Sequence, residues 1–468
     1  MAALVPLSVD PFDIADRRSW VTDHFAITMS DRSSPVGLTM DDMLRLALRR
    51  NPKRAQLLVS RLLGKHLAAD PLVIAGVGRL LGALVARRLC DDPDPVSPEW
   101  LTATRQTVSG VDAAALARVL DQGGGVGPGP GPLVFGFAET ATSVGHLVAD
   151  QLRSDYLHST RRTDGGTAVA AEFSEPHSHA TGHLLRPADS KLLAGHGPLV
   201  LVDDELSTGR TALNVIEALH GTNPRQRYVL AGLVDVRSDA DDRDRAALAD
   251  RIGCRIDVVS LVRGTVLVPD GTVQRVAAAL PEISVTSART TAVSGRVSGL
   301  ELPWPVDLPH GGRHGFRGSD RPGFDAAVRE AAARLESVIG PATRLLVLGT
   351  EELMYLPLRL ALELVRNPGR QVAFQSTTRS PVHAIDQPGY PIRRRIDFDS
   401  RTLGELDQLT VGRYVYNAHW PDDGTETCFA EADLIVVVDD GHAQSGPGGV
   451  AAAIAAATGV PVLLAVLP

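Results

Sequence analysis

Apolar residues along this chain fall into short, leucine- or β-branched-rich runs separated by stretches of helical periodicity, the alternation expected of α/β folds. The spacing predicts a helix over 38–50 (LTMDDMLRLALRR), a strand in AQLLVSRLL, and a helix over 71–89. GGGVGPGPGP at 123–132 can hold neither helix nor strand and reads as a connector. Strand PLVFGF, helix 139–152, strand DYLHST, a polar loop to about 186, strand PLVLVDD, helix 210–220 and strand YVLAGLVDV follow in order. IDVVSLV and GTVLVPD add two further strand-like runs. A Pro/Gly-rich stretch over 302–323 reads as an interdomain linker, after which helix 324–338 and strands RLLVLG, DLIVVVDD and VPVLLAVLP restart the alternation. The expected organisation is a first domain at 1–300, a linker at 301–323 and a second α/β domain at 324–468.

The two halves echo each other. In each, a strand ends in glycine (Gly136, Gly349) with a glutamate three residues on (Glu139, Glu352). A second strand ends in Ser-Thr with arginine close behind, and a third ends in paired aspartates. This is either a degenerate repeat or the shared grammar of strand-loop-helix units. The loop after the third strand differs, HAQSGPGG standing where the first copy has ELSTGRT.

Composition narrows the function classes. The formal charge of −8 over 468 residues argues against a dedicated nucleic-acid or anionic-membrane binder. Cys90, Cys254 and Cys428 are isolated, giving neither a disulfide framework nor a paired zinc motif. No basic leader and no long uninterrupted apolar run is present, so the expected address is the cytoplasm. Only Lys53, Lys65 and Lys191 are lysines among 47 basic residues, in the manner of a GC-rich genome.

The densest chemistry lies in LVLVDDELSTGRT at 199–211. Ligands bind at strand ends of this kind in open α/β sheets. Ser207, Thr208, Gly209, Arg210 and Thr211 form a loop whose amides and hydroxyls can turn onto a phosphate, helped by the positive end of the following helix. Asp203 and Asp204 stand about one ribose away, where they can accept hydrogen bonds from vicinal hydroxyls. The whole reads as a cradle for ribose 5-phosphate. The competing reading is a generic strand-turn-helix with acidic residues.

Further candidates surround it. Arg161 and Arg162 end the strand YLHSTRR, where guanidinium forks suit diphosphate oxygens or simply face solvent. FSEPHSHATGH holds Glu175, His177, His179 and His183, a source of a general base, of zinc ligands, or of neither. Thr378-Arg379-Ser380-Pro381 in the second half is either an anion-holding loop or a capped turn, with a basic cluster (DQPGYPIRRR) nearby.

The 199–211 segment resembles the signature of type I phosphoribosyltransferases, which use 5-phosphoribosyl 1-diphosphate. The resemblance implies a parallel sheet with flanking helices. It places the diphosphate loop at FAETAT, with Ala138 and Thr140 as diphosphate contacts and Glu139 among the catalytic candidates. Arg161, Arg162, His177 and His179 join that catalytic set, and Lys65 in an N-terminal hood is a further diphosphate contact. The full layout is similar to the two-domain family in which an orotate-phosphoribosyltransferase-like domain precedes a TRSP domain, encoded in bacterial tellurium-resistance and stress gene clusters. NPKRAQLLVSRLLGKH, GFAETAT, YLHSTRR, EPHSHATGH, VDDELSTGR, LGTEELMYLPLRLALEL and Thr378 to Pro381 carry that similarity. It implies transfer of ribose 5-phosphate to a small-molecule acceptor, with Mg²⁺ bound through the donor and touching Asp203 and Asp204. Phosphoribosyl diphosphate and the acceptor would be the partners, with no nucleic acid or membrane and with pairing into a homodimer. The rival expectation is a non-catalytic sensor that only binds the ribosyl diphosphate or a nucleotide.

Overall fold

The computed structural model describes residues 19–51, 54–121, 131–162, 167–174, 182–280, 295–398, 412–418, 432–441 and 449–468. The chain begins with α1 (Trp20–Phe25) and β1 (Thr28–Ser33). The helix expected over 38–50 survives only as one turn, α2 (Met40–Met43), capped reciprocally by Thr39 and Asp42. Leu44, Leu46 and Leu48 also satisfy a two-residue period. That alternation wins because β2 (Leu44–Leu48) pairs antiparallel with β3 (Gln56–Ser60).

α3 spans Pro71–Leu89, as its pattern predicts: Asp70 caps it by accepting from the Leu72 amide at 2.8 Å, and Pro71 opens the first turn. α4 (Pro98–Val108) and α5 (Ala115–Asp121) follow, then β4 (Leu133–Gly136) and α6 (Thr142–Leu152). α3 lies very close to α6. A Cβ at Gly78 would sit 2.5 Å from Leu147 Cδ1, and one at Gly82 3.1 Å from the Val148 backbone.

β5 (Asp155–His158), the antiparallel pair β6 (Ala171–Ser174) and β7 (Gly182–Leu185), β8 (Leu199–Leu206), α7 (Arg210–Thr222), β9 (Arg227–Asp235), α8 (Asp239–Ile252), β10 (Arg255–Leu267) and α9 (Thr272–Ala279) complete the first half. The two runs expected after β9 are one long strand, β10. Its sheet has the order β1-β10-β9-β8-β4-β5, parallel except for β1.

The second half contains β11 (Val297–Glu301), α10 (Arg321–Ile339), β12 (Arg344–Gly349), α11 (Tyr355–Leu364), β13 (Gln371–Ser376), β14 (Arg395–Phe398), β15 (Arg413–Tyr416), β16 (Leu434–Asp439), α12 (Val450–Thr458) and β17 (Val462–Val466). Its parallel sheet runs β11-β17-β16-β12-β13, with β14 and β15 pairing antiparallel outside it. The fold is therefore α/β in both halves. β11 lies before residue 301 yet belongs to the second sheet.

The Pro/Gly-rich segment between the sheets is packed. Tyr156 on β5 exchanges both main-chain hydrogen bonds with Phe316 at 2.8 Å, and the His158 amide donates to Gly312 O at 3.0 Å. One apolar core runs through both halves. α6 packs against α11, the His146 and Tyr355 rings stacking with centroids 3.6 Å apart and Phe316 and Phe324 close by.

His158 gives this region a pH signature. Burial pushes its imidazole down to about 4 from 6.5, outweighing the upward pull of Glu352 and of the Ser159 carbonyl, to which Nδ1 donates at 2.8 Å. The unfolded chain takes up this proton below 6.5 and the folded chain only near 4. Stability is therefore lost as pH falls through that window, by on the order of 3 kcal/mol in total. Urea midpoints measured from pH 7.5 to 4.5 should fall more steeply for the parent than for His158→Gln; parallel slopes would refute the assignment.

Candidate active site

The carboxyl end of β8 carries Asp203 and Asp204, both partly exposed; the Asp204 amide donates to Asp203 Oδ1 at 2.9 Å. Leu206, buried, then anchors the start of the loop, and its carbonyl accepts from the Val236 amide at 3.0 Å. Gly209 turns the chain with a φ of +71° into α7. A Cβ there would lie 3.1 Å from Cδ of Arg237. Arg237 is itself fully buried and fixed to Asp235 at 2.9 Å and Asp242 at 3.0 Å, so it forms a rigid floor beneath the loop. Any side chain at 209 would be strained, by the positive φ and by the close approach to that floor.

Facing these carboxylates is the loop after β4. Ser159 ties it down: its hydroxyl accepts from the Ala138 amide at 2.9 Å and shares a hydrogen bond with His183 Nδ1 at 2.9 Å. His183 stacks on Phe173, so the β6–β7 pair braces the same loop. Lys65, after β3, donates to Thr140 Oγ1. Arg379 reaches in from the second half, with Nε 2.7 Å from Glu139 Oε1 and 3.0 Å from Glu351 Oε2.

The electrostatics follow from burial. Burial raises the Glu139 carboxyl above its ordinary value; Arg379 opposes this and Glu351 adds to it. Burial would raise Glu351 as well, but Arg379 and Arg413 outweigh it and hold that carboxyl below the usual value. Burial, with Lys65 and Arg49 adding to it, keeps His66 well below the ordinary imidazole range.

One pocket thus gathers Lys65, Ala138, Glu139, Thr140, Arg161, Asp203, Asp204, Ser207, Thr211, Thr378, Arg379 and Ser380. Thr208, Gly209 and Arg210 complete the loop between Ser207 and Thr211. Arg162 is not brought to this pocket; its guanidinium donates to Asp440 at 3.2 Å. Glu175, His177, His179 and Lys53 lie outside the described residues, and Lys191 sits in a short turn capped by Asp189. His66, beside Lys65 in the segment expected to form a hood, also lines the pocket, as do Arg49, Arg54, Phe137 and Glu205, which sequence reasoning did not single out. Arg54 pairs with Glu205 at 3.0 Å, closing the β2–β3 hairpin over the end of β8. Its only sequence signal was a place in the same basic stretch as Lys65.

The parallel sheet thus carries a small-residue loop that opens α7, paired carboxylates at the preceding strand end and cations opposite. Residues 43–265 match the family model described as "Phosphoribosyl transferase", and residues 310–454 that described as "TRSP domain C terminus to PRTase_2". The chain belongs to this two-domain family, a phosphoribosyltransferase domain followed by a TRSP domain. No curated protein matches it.

Among solved structures, the chain is similar to adenine phosphoribosyl transferase from Trypanosoma brucei in complex with AMP, pyrophosphate and ribose-5-phosphate. That pair is 12% identical over 47% of this chain and 77% of the other, with a TM-score of 0.28. It is also similar to the Giardia lamblia adenine enzyme complexed with 9-deazaadenine, 14% identical over 50% and 98%, with a TM-score of 0.30. A hypoxanthine phosphoribosyltransferase from Staphylococcus aureus is 13% identical over 37% and 69%, with a TM-score of 0.20.

Proposed function

We propose that the first domain transfers ribose 5-phosphate from 5-phosphoribosyl 1-diphosphate to a small-molecule acceptor, releasing diphosphate. The observation that carries this reading is the convergence of Asp203 and Asp204, of Ser207 and Thr211 from the 207–211 loop, and of the cations Lys65 and Arg161 on one pocket. The aspartates accept hydrogen bonds from the ribose hydroxyls. The loop and the N-terminus of α7 take the 5′-phosphate, and that remote binding energy fixes C1 for attack. As the bond from C1 to the diphosphate oxygen breaks, Lys65, Arg161 and the main-chain amides that follow Ala138, at 139 and 140, stabilise the departing charge. The acceptor nucleophile forms its bond to C1 from the opposite face.

Asp203 and Asp204 offer hard oxygen donors that fit Mg²⁺ arriving with the donor, and they are the residues that would hold it. Mg²⁺ so bound would supply charge stabilisation to the leaving diphosphate. His177 and His179 are the proposed sources of a base for the acceptor. Among the described residues no helix is long and apolar enough to cross a membrane, and we place the reaction in the cytoplasm.

Calorimetric titration with the donor, followed by diphosphate release measured over a panel of acceptors, tests the reading. Binding with turnover on at least one acceptor is expected. Tight binding with no turnover on any acceptor would favour a sensor, and no binding would remove the donor altogether.

A further inference from the structure

The two sheets correspond strand for strand. β9-β8-β4-β5 and β17-β16-β12-β13 have the same order, all parallel, and each has an antiparallel pair inserted between its second and third strands in the chain. The registers agree: Gly136 lies opposite His158 and Val202, and Gly349 opposite Ser376 and Val438.

The loops agree as well, in bonds that no general α/β rule requires. The Ser159 amide donates to Gly136 O at 3.0 Å, and the Thr377 amide to Gly349 O at 2.9 Å. The Ala138 amide donates to Ser159 Oγ at 2.9 Å, and the Glu351 amide to Thr377 Oγ1 at 2.8 Å. Thr160 bridges Leu184 as Thr378 bridges Tyr414. The Arg162 and Ser380 amides each donate at 3.1 Å to the threonine hydroxyl two residues before. Arg379 is thereby the counterpart of Arg161, Glu352 of Glu139, and Asp440 of Asp204.

The copies also meet reciprocally. The equivalent helices α6 and α11 pack on each other. Arg379 of the second copy reaches Glu139 of the first, while Thr160 of the first donates to Glu352 of the second at 2.9 Å. In the second copy Asp440, which matches the ribose anchor Asp204, and Glu352, which matches Glu139, are both engaged. Arg313, from the segment between the sheets, binds both Glu352 and Asp440, and Arg162 binds Asp440 too.

We propose that the TRSP domain is a second copy of the transferase core that takes the place of a partner subunit: its own site is closed by Arg313, and its Arg379 completes the first site by binding the donor's diphosphate. This rests on the transferase reading. With the donor absent, Glu139 and Glu351 neutralise the Arg379 guanidinium. The diphosphate takes over from Glu139 when it enters between Lys65, Arg161 and Arg379.

The test uses the full-length protein, titrated calorimetrically with 5-phosphoribosyl 1-diphosphate and separately with ribose 5-phosphate. One donor per chain is expected. Arg379→Gln should weaken donor binding, and inhibition by free diphosphate, about 10- to 100-fold, the loss of a charge-assisted contact. Ribose 5-phosphate affinity should stay within about twofold, which shows that the pocket is intact, and Arg379→Lys should recover part of the loss by keeping the charge without the fork. Equal weakening of both ligands, or unchanged donor binding, would overturn the role of Arg379. Two donors per chain would overturn the closed second site. Failure of the parent chain to bind the donor is a different result, and it would overturn the transferase reading itself.

Discussion

Replacing Asp203 and Asp204 together by asparagine is expected to lower donor affinity about 10²- to 10⁴-fold and to remove measurable diphosphate release. Each carboxylate would accept a charge-assisted hydrogen bond from a ribose hydroxyl, worth about 1.5–3 kcal/mol, and the two losses fall on one ligand. The fold should not suffer. Both side chains are partly exposed at the strand end, beyond the buried Leu199 to Val202. An asparagine at 203 can still accept from the amide of residue 204. Calorimetry gives the affinity and a coupled diphosphate assay the turnover, with thermal unfolding as the control. Diphosphate release at the parent rate in the double variant would sink the assignment of β8 as the ribose anchor.

The second large effect is on stability. Glu351→Ala is expected to destabilise the protein by about 3 kcal/mol, the cost of leaving buried arginines without their carboxylate. Glu351 binds Arg379 and also Arg413, which is 1% exposed. The estimate sits at the low end because Glu139 still faces Arg379. Urea unfolding at pH 7 measures it, and a loss below about 1 kcal/mol would refute the account. The pH dependence has a definite sign. The folded-state pKa of Glu351 is depressed, so its contribution is present above the ordinary carboxylate value of 4.5 and is lost as pH falls through the depressed one. The parent should therefore lose its advantage over the variant below pH 4.5.

What was legible in the sequence had local causes. α3 announced itself through its apolar period, and the β8 loop through four apolar residues, two aspartates and a small-residue turn. The β2 segment was misread because leucines at 44, 46 and 48 satisfy both periods, and pairing with a strand further along the chain decided between them. Contacts between distant segments left no local trace. Arg54 meets Glu205 across 151 residues and Arg379 meets Glu139 across 240. Arg161 and Arg162 are neighbours of the same type, and only the packing of the second half against the first shows that they face different clusters.

β5 is the last strand of its sheet, and its outer main-chain groups are taken by Gly312 and Phe316. An exposed strand edge invites pairing with another molecule. Here the protein's own connector uses that invitation up. The glycines and prolines that look like a tether in the sequence thus act as a hem on the first sheet. A chain cut or shortened within it would lose more than the link between two halves: it would present an adhesive edge to every neighbouring copy.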